Sequence, residues 1–275
     1  MKLYRTKTGV VVESDERFVA LGEDWDTLIN HEDLHAHLTR AFASGRSTDA
    51  LGVPILAPIG QQEVWAAGVT YYRSRTARME ESDAAGGGSF YDRVYDAPRP
   101  ELFFKAAPWR VRGPGDDVRV RRDARWSVPE PEIALCINAR GVIVGYTIGN
   151  DMSSRDIEGE NPLYLSQAKI YDGACALGPA LFVTTEPLPP TTSIDIRVVR
   201  RDGVVFAGNT TFSQLRRSPS ELVEFLYRET SFPNGCILFT GTGIVPEADF
   251  TLEAGDVISI TVPPIGVLTN TVSGR

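Results

Sequence analysis

Cysteine and histidine are both scarce in this sequence of 275 residues, with three of each. Cys136, Cys175 and Cys236 stand far apart, form no CxxC pair and are odd in number. That excludes a disulfide framework and makes a reducing, cytoplasmic setting the expectation. His31, His35 and His37 share one short stretch, and no histidine follows them, so the rest of the chain must do its chemistry without imidazole. Long hydrophobic runs are missing as well. No stretch approaches the roughly 18 apolar residues of a membrane helix, and residues 1–10 are basic but lack the apolar segment of a signal peptide. No membrane association is expected. Positive charge is in deficit, with 28 Lys and Arg against 36 Asp and Glu and a net charge of -8. That argues against a nucleic-acid partner, which calls for a basic face. Repeats of 20–50 residues and low-complexity tracts are absent. With 42% hydrophobic and 23% charged residues, what remains is an ordinary globular composition. Its length suits one large domain, or a catalytic domain with a small appendage.

Periodicity divides the chain near residue 60. Residues 1–60 read as a small unit with a short strand at 9–12 and a helix over 26–42. Leu34, Leu38 and Phe42 fall on one face of that helix, and Ser44-Gly45 ends it. Beyond Pro54 and Pro58 the chain becomes strand-rich. Residues 63–69, 118–121 and 257–262 read as strands. Two hairpins are signalled: 133–137 and 142–148 flank Asn138-Ala139-Arg140-Gly141, and 194–198 and 204–206 flank Asp202-Gly203. Ser218-Pro219-Ser220-Glu221 announces one helix, with a cap, proline at its first position and glutamate at its third. Leu222, Phe225 and Leu226 are its expected buried face. Strands and helices do not alternate, which speaks against βαβ architecture. Residues 72–89 are rich in charge and then in Ala and Gly, as a mobile lid would be.

Four segments carry groups capable of chemistry. Pro129-Glu130-Pro131-Glu132 leads into an apolar run. In an extended chain Glu130 and Glu132 point the same way, and adjacent carboxylates repel unless a cation or proton is shared between them. The same pair could also begin a solvated strand. Asn150-Asp151-Met152-Ser153-Ser154-Arg155-Asp156 offers Asp151 as a further carboxylate and Arg155 as a donor to hold the set, or else a capped turn. Lys169 stands among apolar residues. Burial would lower the pKa of such a lysine and suit it to act as a base, whereas on the surface it would merely snorkel. Thr240-Gly241-Thr242-Gly243 could bind a substrate carboxylate through backbone N–H groups, or form a plain turn. His31-Glu32-Asp33-Leu34-His35 matches HExxH. The apolar stripe through Leu34 and Leu38 turns its histidines to the polar side, so a zinc site is not expected. Gly86-Gly87-Gly88 lacks the Gly-Lys-Ser/Thr of a phosphate loop.

Taken together, in this order and spacing over roughly residues 61–265, these segments resemble the fumarylacetoacetate hydrolase superfamily. The resemblance implies an α+β, mostly β fold. A mixed β-roll catalytic domain (61–275) would sit behind a small N-terminal α+β domain (1–60), assembled as a homodimer. It also implies that Glu130, Glu132 and Asp151 bind a divalent metal. An all-carboxylate set prefers Mg²⁺, then Mn²⁺ or Ca²⁺. Hydrolases of the family follow a Gly-x-x-Tyr segment with a histidine three residues on and a glutamate three further, which activate water. Here Gly68-Val69-Thr70-Tyr71 is followed by Ser74 and Ala77, so that route to C–C hydrolysis is not expected. Instead, the stretch 95–106, with Glu101-Leu-Phe-Phe-Lys105, and the stretch 155–165 are similar to the 2-keto-3-deoxy-sugar-acid dehydratases of the superfamily. By position, Glu101 and Lys169 would be the acid/base pair, although Glu101 could also be salt-bridged to Arg99 or Lys105. Thr242 would bind the substrate carboxylate, Tyr71 would close the pocket and Arg155 would order the ligands. The implied activity is dehydration of a small 2-keto acid whose enolate the metal stabilises. Two readings stay open beside it: a hydrolase of acylpyruvates or decarboxylase of oxaloacetate, and a member that only binds.

Overall fold

The computed structural model describes residues 1–48, 51, 54–72 and 96–274. The chain opens with a meander of β1 (Lys2–Thr6), β2 (Gly9–Ser14) and β3 (Arg17–Leu21). Alternation turns Leu3, Val10, Val12 and Val19 inward. The helix expected over 26–42 is two helices, α1 (Trp25–Ile29) and α2 (Leu34–Ser44). The break comes where capping side chains compete with propagation. Asn30 closes α1, and the Asp33 carboxylate accepts the Ala36 N–H at 2.9 Å to start α2. Leu34 and Leu38 are buried as their spacing predicts. His31 lies outside α2 and stacks on His37 with ring centroids 4.3 Å apart, so His31 and His35 do not share a helix face. After β4 (Ser47–Thr48) and β5 (Ile55–Leu56) come β6 (Glu63–Gly68) and β7 (Glu101–Ala106). Residue 60, near which a boundary was expected, lies between β5 and β6, and strands from both sides of it join one sheet.

The remaining elements are β8 (Val111–Arg112), β9 (Asp117–Arg119), β10 (Ser127–Val128), β11 (Pro131–Ile137), β12 (Ile143–Asp151), β13 (Ser153–Ser154), α3 (Arg155–Glu160), α4 (Leu165–Lys169), β14 (Cys175–Phe182), β15 (Ser193–Arg200), β16 (Gly203–Thr211), α5 (Pro219–Tyr227), β17 (Cys236–Phe239), β18 (Val257–Val262) and β19 (Gly266–Ser273). The large mixed sheet runs β4-β3-β2-β1-β14-β12-β11-β17-β6-β7, and a second sheet runs β16-β15-β18-β19-β9. Both expected hairpins form, β11 with β12 and β15 with β16. At the first, the Asn138 side chain accepts the Arg140 and Val142 N–H groups at 3.0 Å each, and Gly141 takes a φ of 77°.

Every residue of β11 is buried, because the sheet is covered on both faces and neither side of the strand meets water. Alternation divides its side chains. Ile133, Leu135 and Ile137 join a core with Ile194, Ile196, Val198, Ile258 and Ile260 of the second sheet. Ala134 and Cys136 join the core beneath α1 and α2, with Leu28, Leu34 and Leu38. Each large aliphatic side chain so buried contributes about 1.5–3 kcal/mol. On α5, Ser218 caps the Glu221 N–H at 3.1 Å. Its buried residues are Leu222, Val223 and Leu226. Phe225 is less buried than expected and lies beneath the guanidinium groups of Arg99 and Arg228.

Candidate active site

The sheet itself gathers the carboxylates. In the β11–β12 ladder Pro131 lies opposite Asn150, so the residues just beyond, Glu130 and Asp151, meet at the same edge. The Asp151 N–H donates to the Glu130 carbonyl at 3.0 Å. Glu132, two residues from Glu130, takes the same side. Carboxylate oxygens of Glu130, Glu132 and Asp151 lie within 4.8 Å of one another, and all three residues are buried. Three buried carboxylates at this spacing require compensation.

Among the described residues, three buried cations supply it. Arg155, first residue of α3, donates from Nη2 to Glu130 Oε1 at 2.7 Å. Lys169, last residue of α4, donates from Nζ to Glu130 Oε2 at 2.5 Å and to Asp151 Oδ2 at 3.2 Å. Lys105 of β7 stands 2.5 Å from Asp151 Oδ1. Glu132 is held differently, by the backbone N–H of Gly241 at 2.5 Å. Burial, then the charges of Asp151 and Glu130, push its carboxyl well above the usual range, and Lys169 and the Gly241 N–H only partly oppose this. A divalent cation among these oxygens would reverse that shift. The donors are buried, convergent, hard oxygens, so the set fits Mg²⁺ first and Mn²⁺ or Ca²⁺ next.

The trio opens into a narrow cleft of about 20 Å³, lined also by Gly68, Phe103, Arg155, Lys169 and Thr242. Glu101 sits opposite Gly68 in the β6–β7 ladder, and a Cβ at Gly68 would collide with its carboxylate. Glu101 is thus at the cleft's edge rather than among its lining residues. Tyr71 is buried and packs against Gly243. Burial and the Glu132 charge raise the pKa of its phenol. The Thr242 hydroxyl donates to the Ile244 carbonyl and accepts its N–H, both at 3.2 Å. In the same loop the Gly241 N–H, read from sequence as a donor to substrate, is taken by Glu132. Gly241 has a φ of 93° and no room for a Cβ beside Thr70. Residues 73–89 of the expected lid, including Ser74 and Ala77, lie outside the described residues.

Sequence reasoning missed the part played by Lys105 and Phe103. The signal was the alternation in Glu101-Leu-Phe-Phe-Lys105, which puts residues 101, 103 and 105 on one side of β7. Phe103 lines the cleft, with Lys169 Nζ 5.9 Å from its ring centroid.

Known proteins resemble the chain at three levels. The family described as Fumarylacetoacetate (FAA) hydrolase C-terminal matches residues 80–273. A probable 2-keto-3-deoxyxylonate dehydratase of Haloferax volcanii is 48% identical over 218 residues, 78% of this chain and 74% of its own. A 2-dehydro-3-deoxy-D-arabinonate dehydratase of Saccharolobus solfataricus is 44% identical over 226 residues, 81% of this chain and 76% of its own. Among solved structures, a 2-keto-3-deoxy-D-arabinonate dehydratase complexed with magnesium and 2,5-dioxopentanoate superposes with a TM-score of 0.83 at 34% identity. That match covers 100% of this chain and 99% of the other.

Proposed function

The chain belongs to the fumarylacetoacetate hydrolase family, and from that membership we propose that it is a magnesium-dependent dehydratase of a 2-keto-3-deoxy sugar acid. One observation carries the reading: a buried lysine, Lys169, reaches two of three convergent buried carboxylates at the floor of a cleft. The dehydratase names of two relatives above 40% identity support it. So does the solved structure that holds magnesium and 2,5-dioxopentanoate.

Glu130, Glu132 and Asp151 would hold the ion, which when bound supplies a Lewis acid for the keto and carboxylate oxygens of the substrate. Lys169 and Glu101 are the acid/base pair. One removes a proton from C3, and the other donates a proton to the C4 hydroxyl, which leaves as water. Moving a proton from C5 to C3 then gives the C4–C5 enol, and transfer of its hydroxyl proton to C4 gives the aldehyde of the product. General acid–base steps of this kind contribute about 10²–10⁴-fold. Arg155 fixes the Glu130 carboxylate, Thr242 binds the substrate carboxylate, and Tyr71 closes the inner wall. The same reading makes the protein a cytoplasmic homodimer acting on a free small molecule. Three free, buried cysteines suit a reducing compartment, and no helix among the described residues is long and apolar enough to cross a membrane. Light scattering after size exclusion tests the dimer.

The deciding assay offers purified protein a 2-keto-3-deoxy-pentonate and, separately, an acylpyruvate, each with and without Mg²⁺. Magnesium-dependent semialdehyde from the first is expected. Pyruvate from the second alone would overturn the dehydratase reading in favour of a hydrolase.

A further inference from the structure

We propose that Lys105 is a positioning residue that sets both Asp151 and Lys169 for the reaction; the proposal rests on the reading of Asp151 as a metal ligand. Lys105 is 1% exposed. Its Nζ stands 2.5 Å from Asp151 Oδ1 and donates to the carbonyls of Met152 at 3.1 Å and Lys169 at 2.5 Å. Two of the three N–H donors of an ammonium are thus committed to backbone carbonyls, and its charge faces Asp151 Oδ1. Lys105 is buried and lies outside the lining of the cleft, so it acts through its neighbours and is not a catalytic residue.

Its contacts divide the work of its neighbours. It ties one oxygen of Asp151 and leaves the other, Oδ2, on the side of Lys169 and Glu130. It also binds the carbonyl of Lys169 at the end of α4, where the helix has no partner of its own to offer that group. A single buried cation thus joins β7, the residue after β12 and the end of α4. It orients a ligand carboxylate and the backbone of the acid/base lysine together.

The alternative is that Lys105 merely balances charge, and the two roles predict opposite signs. Neutralising a balancing cation leaves the carboxylates more negative and tightens binding of a divalent ion. Removing a positioning group loosens it, because partners that orient a ligand are typically worth about 10–100-fold in metal affinity.

Lys105→Met and Lys105→Gln, checked for folding by circular dichroism and thermal unfolding, are titrated with Mn²⁺ beside the wild type, and free Mn²⁺ is read by electron paramagnetic resonance. The expected result is Mn²⁺ binding about 10–100-fold weaker in Lys105→Met. Lys105→Gln, which keeps two donors, should lose less, and kcat should fall more than KM changes in both. A folded variant that binds Mn²⁺ as tightly as the wild type, or more tightly, overturns the proposal. Failure of both variants to fold overturns it too, by making Lys105 a folding element. A wild-type protein that binds no Mn²⁺ would instead sink the metal reading, and the proposal with it.

Discussion

Replacing Glu132 by Gln should separate stability from metal binding in opposite directions. In the metal-free protein the Glu132 carboxyl is buried beside Asp151 and Glu130, and its pKa is raised by all three influences. The isosteric amide removes that charge and keeps an oxygen for the Gly241 N–H, which Glu132 now accepts at 2.5 Å. Metal-free Glu132→Gln should therefore be at least as stable as the wild type. Magnesium should help only the wild type. An ion at one hundred times its Kd adds about 2.7 kcal/mol, and at roughly 2–4 °C per kcal/mol for a large domain the wild-type Tm should rise by about 5–10 °C. The variant should gain little of this. Scanning calorimetry of both proteins in EDTA and in a Mg²⁺ series reads both effects. A full magnesium increment in Glu132→Gln would refute its assignment as a ligand. A metal-free Tm several degrees below the wild type would refute the account of its raised carboxyl.

Lys169→Met should lower kcat by about 10²–10⁴-fold with Mn²⁺ binding retained; lost Mn²⁺ binding in a titration would make Lys169 structural. The pH dependence has a definite sign. A carboxyl raised in the fold favours the protonated state, so metal-free stability contributed by Glu132 falls as pH rises from its ordinary 4.5 through the raised value. Magnesium binds the ionised form, so the Mg²⁺-induced rise in Tm should grow with pH across that window in the wild type and not in Glu132→Gln; a pH-independent rise in the wild type would contradict this. His35→Ala should leave activity intact, since its partner in the HExxH spacing stacks on His37 instead; loss of activity together with bound zinc would revive the metalloprotease reading.

What could be read in the sequence was local. Glu130 and Glu132 share a side of the chain because a strand repeats every two residues, and Asn138-Ala139-Arg140-Gly141 turns because its glycine accepts a positive φ. The stretch 26–42 defeated the same reasoning. Its amphipathic period is continuous, and only the caps at Asn30 and Asp33 break it. The convergence of Glu130, Glu132 and Asp151 and the burial of Lys169 were legible, and the surroundings were illegible where partners come from afar. Lys105 meets oxygens 47 and 64 residues further along the chain, and no spacing within β7 names them. The loop after β17 shows the same limit. Its backbone donor is visible in Gly241, but Glu132 takes it only because β17 pairs with β11, Phe239 opposite Ala134.

The compensation around the site is uneven, and that unevenness predicts how the ligands should bind. Both oxygens of Glu130 and both of Asp151 meet cationic side chains, whereas Glu132 bonds to no cation among the described residues. Within the trio, Glu132 is thus the one carboxylate, and the one negative charge, that meets no cationic side chain among the described residues. A divalent ion alone overshoots that charge by one positive charge, and the carboxylate of a keto acid offsets it. In a buried site, where charge imbalance is costly, metal and acid should therefore bind cooperatively. Coupling of this kind is typically 5–150-fold and must be reciprocal. Pyruvate, a 2-keto acid with no C4 hydroxyl to lose, is a suitable probe. It should tighten Mn²⁺ binding, and Mn²⁺ should tighten pyruvate binding by the same factor. Titrations that gave independent binding would show that the excess charge at Glu132 is satisfied by a proton rather than by the ion.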